Sequence, residues 1–156
     1  MVIIPSLSVI KRKAKDYCAY QERSHMEVIQ KLYSFGLYKA DVEAIIASLI
    51  EENYLNEERF AIQFAGGKFR IKKWGRIKIM QALKQRKIST YNINKAMNDL
   101  DEAAYSKTLQ GLATKKWNTL KTGTPAIRKM KTMTYLLQKG YERSLIIQAL
   151  NKLTSQ

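Results

Sequence analysis

Eleven consecutive residues, Lys68-Phe69-Arg70-Ile71-Lys72-Lys73-Trp74-Gly75-Arg76-Ile77-Lys78, interleave six cations with two aromatics and two isoleucines. Lysine and arginine neutralise phosphates and displace condensed counterions, while a tryptophan offers a π face to a base or a guanidinium. A second group, Lys115-Lys116-Trp117 with Arg128, Lys129 and Lys131, repeats the theme. The candidate contact residues are therefore Lys68, Arg70, Lys72, Lys73, Trp74, Arg76, Lys78, Lys115, Lys116, Arg128, Lys129 and Lys131. The same pattern also fits a helix whose Ile71, Trp74 and Ile77 sit in a core while the cations merely face solvent. The two readings are compatible: Ile77 is expected in the core and the cations outside.

Other chemistries find little footing. One histidine, His25, follows Ser24 and is expected to face solvent. A single histidine and a single cysteine cannot make a zinc constellation. Cys18, between Tyr17 and Tyr20, reads as a small core residue, and one cysteine forms no intrachain disulfide. Glu51, Glu52, Glu57 and Glu58 read as an acidic solvated face. Gly66-Gly67 and Gly75 lack the Gly-Lys-Ser/Thr ending of a phosphate-binding loop. No enzyme class, cofactor or metal is expected. The N-terminal apolar run precedes its charges, the reverse of a secretory signal, and no stretch is long enough for a bilayer span. A cytoplasmic protein without membrane contact is expected.

The net charge of +15 is unevenly spread. Residues 1–58 hold seven basic and nine acidic side chains, whereas residues 59–141 hold nineteen basic and three acidic ones. Such concentration costs self-repulsion that a polyanion would relieve, and it favours a monomer. An ordinary solvated basic surface would have the same composition.

These cations need elements to position them, and the sequence supplies one pattern three times. Met26, Ile29, Leu32, Leu37, Val42, Ile45, Ile46 and Leu49 are matched by Ile77, Met80, Leu83, Ile88, Ile93, Ala96, Met97 and Leu100. Met130, Met133, Leu136, Tyr141, Ile146, Ala149, Leu150 and Leu153 complete the set. Within each copy the spacing is helical, with a short turn at Gly36, Lys87 or Gly140. Glycine suits that turn, so in the second copy either the turn differs or Lys87 is strained. Ser24 with Glu27 spells a capping box, Thr124-Pro125 a helix start, and Ser89 a cap.

One further helix precedes each pair: Lys11 to Gln21, Asn56 to Lys72 (kinked or interrupted at Gly66-Gly67) and Asp101 to Trp117. The expectation is an all-α protein of three tandem three-helix repeats, about nine helices, forming an elongated, curved body. The repeats span 14–55, 56–100 and 101–156, behind an N-terminal segment 1–13. Lys121 to Thr124 is the expected loose joint.

Several stretches resemble the RecX family, bacterial regulators of the RecA recombinase. They are Tyr54-Leu55-Asn56-Glu57-Glu58-Arg59-Phe60-Ala61, Lys73-Trp74-Gly75-Arg76-Ile77 with Leu83, and Arg128-Lys129, Leu136-Leu137, Lys139-Gly140-Tyr141 and Ile146. The resemblance runs from about residue 14 to 153. Departures include Glu57 where the family usually has Asp, Lys73-Trp74 in place of a Gly-rich turn, and Ala82 at an acidic position. The resemblance implies three three-helix repeats and a modulator, usually an inhibitor, of DNA repair, recombination and the SOS response. It implies binding along the groove of the RecA–single-stranded DNA filament. Two other readings remain open: a stand-alone DNA or RNA binder using a helix-turn-helix, and a protein–protein scaffold with a basic face.

Overall fold

The structure, a computed structural model, describes residues 5–155. Among the described residues nine α-helices follow one another: α1 (Leu7–Tyr20), α2 (His25–Ser34), α3 (Lys39–Glu51), α4 (Glu57–Gly67), α5 (Arg76–Gln85), α6 (Thr90–Asp99), α7 (Glu102–Thr119), α8 (Pro125–Gln138) and α9 (Arg143–Thr154). Among the described residues there is no strand. The expected three-by-three grouping holds, in an elongated arrangement. Helix α1 begins at Leu7, earlier than expected, and its Ile10 belongs to the first core.

The start signals work, although only the serine half of the Ser24–Glu27 box forms. Ser24, Ser89 and Thr124 each accept the backbone N–H three residues on, and Pro125 occupies the first turn of α8. Asn56 and Asp101 cap α4 and α7 in the same way. His25 departs from expectation. It is partly buried, and its Nε2 is buried without a hydrogen-bond partner.

The repeat itself needs one correction. Positions Leu37, Ile88 and Tyr141, and Val42, Ile93 and Ile146, are buried in all three copies. At the front of the second helix, however, the fully buried column is Val28, Ile79 and Thr132, not Met26, Ile77 and Met130. Ile77 is 38% exposed and Met130 61% exposed, so Ile77 is not a core residue. Thr132 tolerates burial because its hydroxyl donates to the Arg128 carbonyl one turn back, at 2.9 Å.

Among the described residues two apolar clusters form. The first unit keeps its own core from Ile10 to Leu55, whereas the second and third units share one running from Phe60 to Leu150. Arg59 ties the second unit to the first, donating to Glu22 and to the carbonyls of Asn53 and Tyr54.

Gly66-Gly67 does interrupt the fourth helix. Beyond Gly67 the chain widens into a π-helical segment, Lys68–Lys72, closed by Lys73 at φ 57°. Lys87 adopts φ 63°, where Gly36 and Gly140 adopt 87° and 97°. The second copy therefore keeps the turn and bears the strain. A side chain in this region costs about 1 kcal/mol. Lys87→Gly is expected to raise the thermal midpoint by about 2–4 °C; a lower midpoint would contradict strain at this turn.

Candidate nucleic-acid interface

The cationic segment lies where the second and third units interlock. Gly75 N–H donates to the Lys139 carbonyl at 2.8 Å, and Ile77 N–H donates to the Gly140 carbonyl at 2.9 Å. A Cβ at Gly75 would stand 2.4 Å from the Gly140 carbonyl, and one at Gly140 would stand 2.3 Å from Lys78 Cβ. Only two bare backbones fit this crossing. Tyr141 Oη donates to the Lys73 carbonyl at 2.8 Å, which closes the other side.

Arg76 is the polar centre of the junction. Its N–H donates to Tyr105 Oη at 3.0 Å, and its guanidinium lies 3.8 Å from the centre of that ring. The same guanidinium donates to Glu142 and Glu102, both at 2.7 Å. Helices α5, α7 and α9 all begin here, so their positive ends would repel a lone cation. Glu102 and Glu142 offset that repulsion. The Glu142 pair is the sheltered one, since Glu102 is 84% exposed and contributes little. Burial works against the Arg76 charge, but the Glu142 hydrogen bond and the surrounding charges outweigh it and raise the pKa. Burial, reinforced by Glu142, raises the Tyr105 phenol well above its ordinary value. Burial does the same to Tyr141, so both remain hydroxyl donors. Phe69, Tyr105 and Tyr141 stack in series beneath, with ring centroids 5.7 and 5.2 Å apart.

Arg76 is therefore a structural residue held by Glu142 and Glu102, unlike the outward-facing cation expected from sequence. Arg128 is another: Nε and Nη2 both donate to the Trp117 carbonyl, at 3.0 and 2.8 Å, and the guanidinium stacks on the Trp117 ring. Arg70 is exposed, and its guanidinium folds back over the bare backbone of Gly66.

Of the remaining candidates, Lys68, Trp74, Lys78 and Lys116 take part in a cation–aromatic ladder. Lys68 Nζ and Lys78 Nζ lie 5.0 and 4.7 Å from the Trp74 ring centre. Lys68 also lies over Phe64, and so does Arg86. Lys139 continues the ladder into the third unit. Its Nζ donates to the Lys72 carbonyl at 3.3 Å and lies over Tyr135, which Lys116 Nζ also approaches. Lys116, Lys131 and Tyr135 line a groove between α7 and α8. Exposed Lys72 and Lys73 flank the junction, and half-buried Lys129 follows Arg128.

Lys115 falls elsewhere. Neighbouring residues on a helix diverge by about 100°, and Lys115 opens onto the α7/α9 side with Lys107 and Lys152. Phe64, Arg86 and Lys139 were not among the expected contacts, because the partners that place them are brought together only by the fold. No helix among the described residues is long and apolar enough to cross a membrane, and no group of three or more potential metal ligands occurs among them. Burial raises the Cys18 thiol, in keeping with a core side chain.

Residues 56–97 match the second three-helix domain of RecX, and residues 104–150 match the third; together these cover more than half of the chain. The chain belongs to the RecX family. It is 28% identical over 138 residues to the regulatory protein RecX of Acinetobacter baylyi, covering 87% of this chain and 82% of that one. It is also 28% identical over 141 residues to RecX of Prosthecochloris aestuarii, covering 90% and 91%. The fold is similar to the crystal structure of RecX from Lactobacillus salivarius, with TM-score 0.88 at 22% identity over 96% of this chain and 97% of that one.

The residues that carry the RecX resemblance now have physical roles. In Tyr54 to Ala61, Leu55 closes the first core and Asn56 caps α4. Glu57 accepts from Ser89 and Asn92 of the α6 start, and Phe60 and Ala61 open the shared core. The stretches Lys73 to Ile77 and Lys139 to Tyr141, far apart in sequence, are the two halves of the junction.

Gly75→Ala is expected to cost about 3 kcal/mol, because neither backbone can retreat. Gly111→Ala, where nothing lies within 4 Å of the added Cβ, should instead stabilise by about 0.5–1 kcal/mol. Urea unfolding of both variants checks the contrast; equal midpoints would contradict the close crossing.

Proposed function

We propose that this RecX-family chain regulates a RecA-type recombinase, acting as an inhibitor that lies along the recombinase–single-stranded DNA filament. The supporting observation is the ladder Arg86–Phe64–Lys68–Trp74–Lys78, continued by Lys139, Tyr135 and Lys116 across the interlocked junction. Cations held at fixed spacing on a shared body suit a repeating polyanion, because their ordering entropy has been met on folding. Aromatic rings among them hold the alkyl stems and add π faces for bases. The contact set is Lys68, Lys72, Lys73, Trp74, Lys78, Lys116, Lys129 and Lys131, extended by Arg86 and Lys139. In this reading Arg76 and Arg128 position the surface instead of touching the polymer.

The mechanism follows from shape and charge. A monomeric elongated body spans neighbouring recombinase subunits with its basic face toward DNA phosphates and acidic protein surfaces. It occupies the path of an incoming duplex and restrains the subunits in an unproductive relative position. A filament offers many identical sites, so weak contacts from successive units add up to firm occupancy. Recognition is nearly blind to base sequence, since phosphate contacts carry no sequence information. A helix-turn-helix reader fits less well. Helices α3, α6 and α9, which would enter the groove, carry few cations.

Two measurements test this reading. The host recombinase's single-stranded-DNA-dependent ATPase is expected to fall when the protein is added, and unchanged turnover at saturating protein would overturn inhibition. The variant Lys68→Glu, Lys72→Glu and Lys78→Glu is expected to bind filaments far more weakly. It should flatten the dependence of log affinity on log salt by about 2, at roughly 0.7 per phosphate contact. An unaltered slope in a folded variant would remove the ladder from the interface.

A further inference from the structure

We infer that the outer face of α7, with the end of α9, is a second binding groove for a sugar–phosphate backbone, separate from the ladder. Lys107, Gly111, Thr114, Lys115 and Asn118 line it from α7, and Lys152 lines it from α9. These α7 residues lie on the side of the helix turned away from its buried Tyr105, Leu109 and Ala113. The groove between α7 and α8, with Lys116, is a different surface.

Three features fit this groove to a polyanion. No carboxylate lines it, and among the described residues none of Lys107, Lys115 and Lys152 pairs with one. Lys107 and Lys115 stand about 12 Å apart along α7, with the Thr114 hydroxyl and the Asn118 amide beside them as neutral donors. Gly111 leaves the helix backbone bare between the two lysines, with nothing within 4 Å of where a Cβ would project. A sugar–phosphate chain can settle against that gap. The groove is also held to a fixed shape, because the Gln110 amide donates to the Ala149 carbonyl of α9 at 3.2 Å.

A chain with two separate polyanion surfaces bridges two strands. While the ladder holds one, the α7/α9 groove captures a second, such as a displaced strand or a neighbouring filament. This inference rests on the ladder binding nucleic acid, but it does not require a recombinase.

The experiment mixes the full chain with donor-labelled and acceptor-labelled oligothymidylate strands at low salt. Bridging is read by energy transfer, and binding of one strand by anisotropy. Wild type is expected to bridge with one protein per strand pair by native mass spectrometry. The variant Lys107→Glu, Lys115→Glu and Lys152→Glu is expected to lose bridging on the order of tenfold while its single-strand affinity changes little. The Lys→Gln version of the same triple, which adds no repulsion, should lose it partially. Full bridging by the Gln triple and the Glu triple would overturn the second groove, as would two proteins per bridged pair. Loss of anisotropy binding in the Lys68, Lys72 and Lys78 variant alone reports on the ladder, so the two surfaces fail or stand separately.

Discussion

Two glycines without side chains let the backbone of the second unit touch that of the third. At Gly75 and Gly140 the chains approach so closely that cross-unit N–H to carbonyl bonds form between helices. Everything else at the junction depends on that approach. Tyr141 reaches the Lys73 carbonyl, Arg76 reaches Tyr105 and Glu142, and Phe69, Tyr105 and Tyr141 stack into one core. Without it the second and third units would lose the core they share, and pieces of this size bury little surface alone. The first unit, with a separate core and a polar join at Arg59, shows what an unfused neighbour looks like.

Fusion has an electrostatic consequence. Nineteen basic and three acidic side chains between residues 59 and 141 repel one another. The fold meets this repulsion in two ways. Arginines that must lie inside are paired or stacked: Arg76 with Glu142 and Tyr105, Arg128 with the carbonyl and the ring of Trp117. Lysines that stay outside are spaced by rings, with Trp74, Phe64 and Tyr135 each facing two cations. The unpaired charge left on the surface is what a polyanion would neutralise.

Periodicity made the nine helices legible, and with them the caps at Ser24, Ser89 and Thr124, because burial of one helical face and capping of its first turn leave local marks. The phase of the buried column was harder to read. Rows three and four residues apart are both apolar in α2 and α5, and in α8 the buried member is Thr132, whose hydroxyl is satisfied inside its own helix. Charge type alone could not separate Arg76 from Lys78, since the partners of Arg76 lie 26 and 66 residues away. Lys115 and Lys116 look like a unit in sequence, yet the helix sends them to different grooves. Lys139 was visible only as a family-like residue beside Gly140, and its place against Lys72 and Tyr135 is a product of the crossing. Long-range contact, unlike helical periodicity, leaves no mark in the local sequence.

If the second and third units form one body through that crossing, the amides of Gly75 and Ile77 open only when the body unfolds. Native-state hydrogen exchange measures this directly. The account predicts that both amides exchange with the same free energy and denaturant dependence as buried Ile79 and Leu83 within α5. Rapid exchange of Gly75 and Ile77, insensitive to denaturant while Ile79 and Leu83 stay protected, would contradict it.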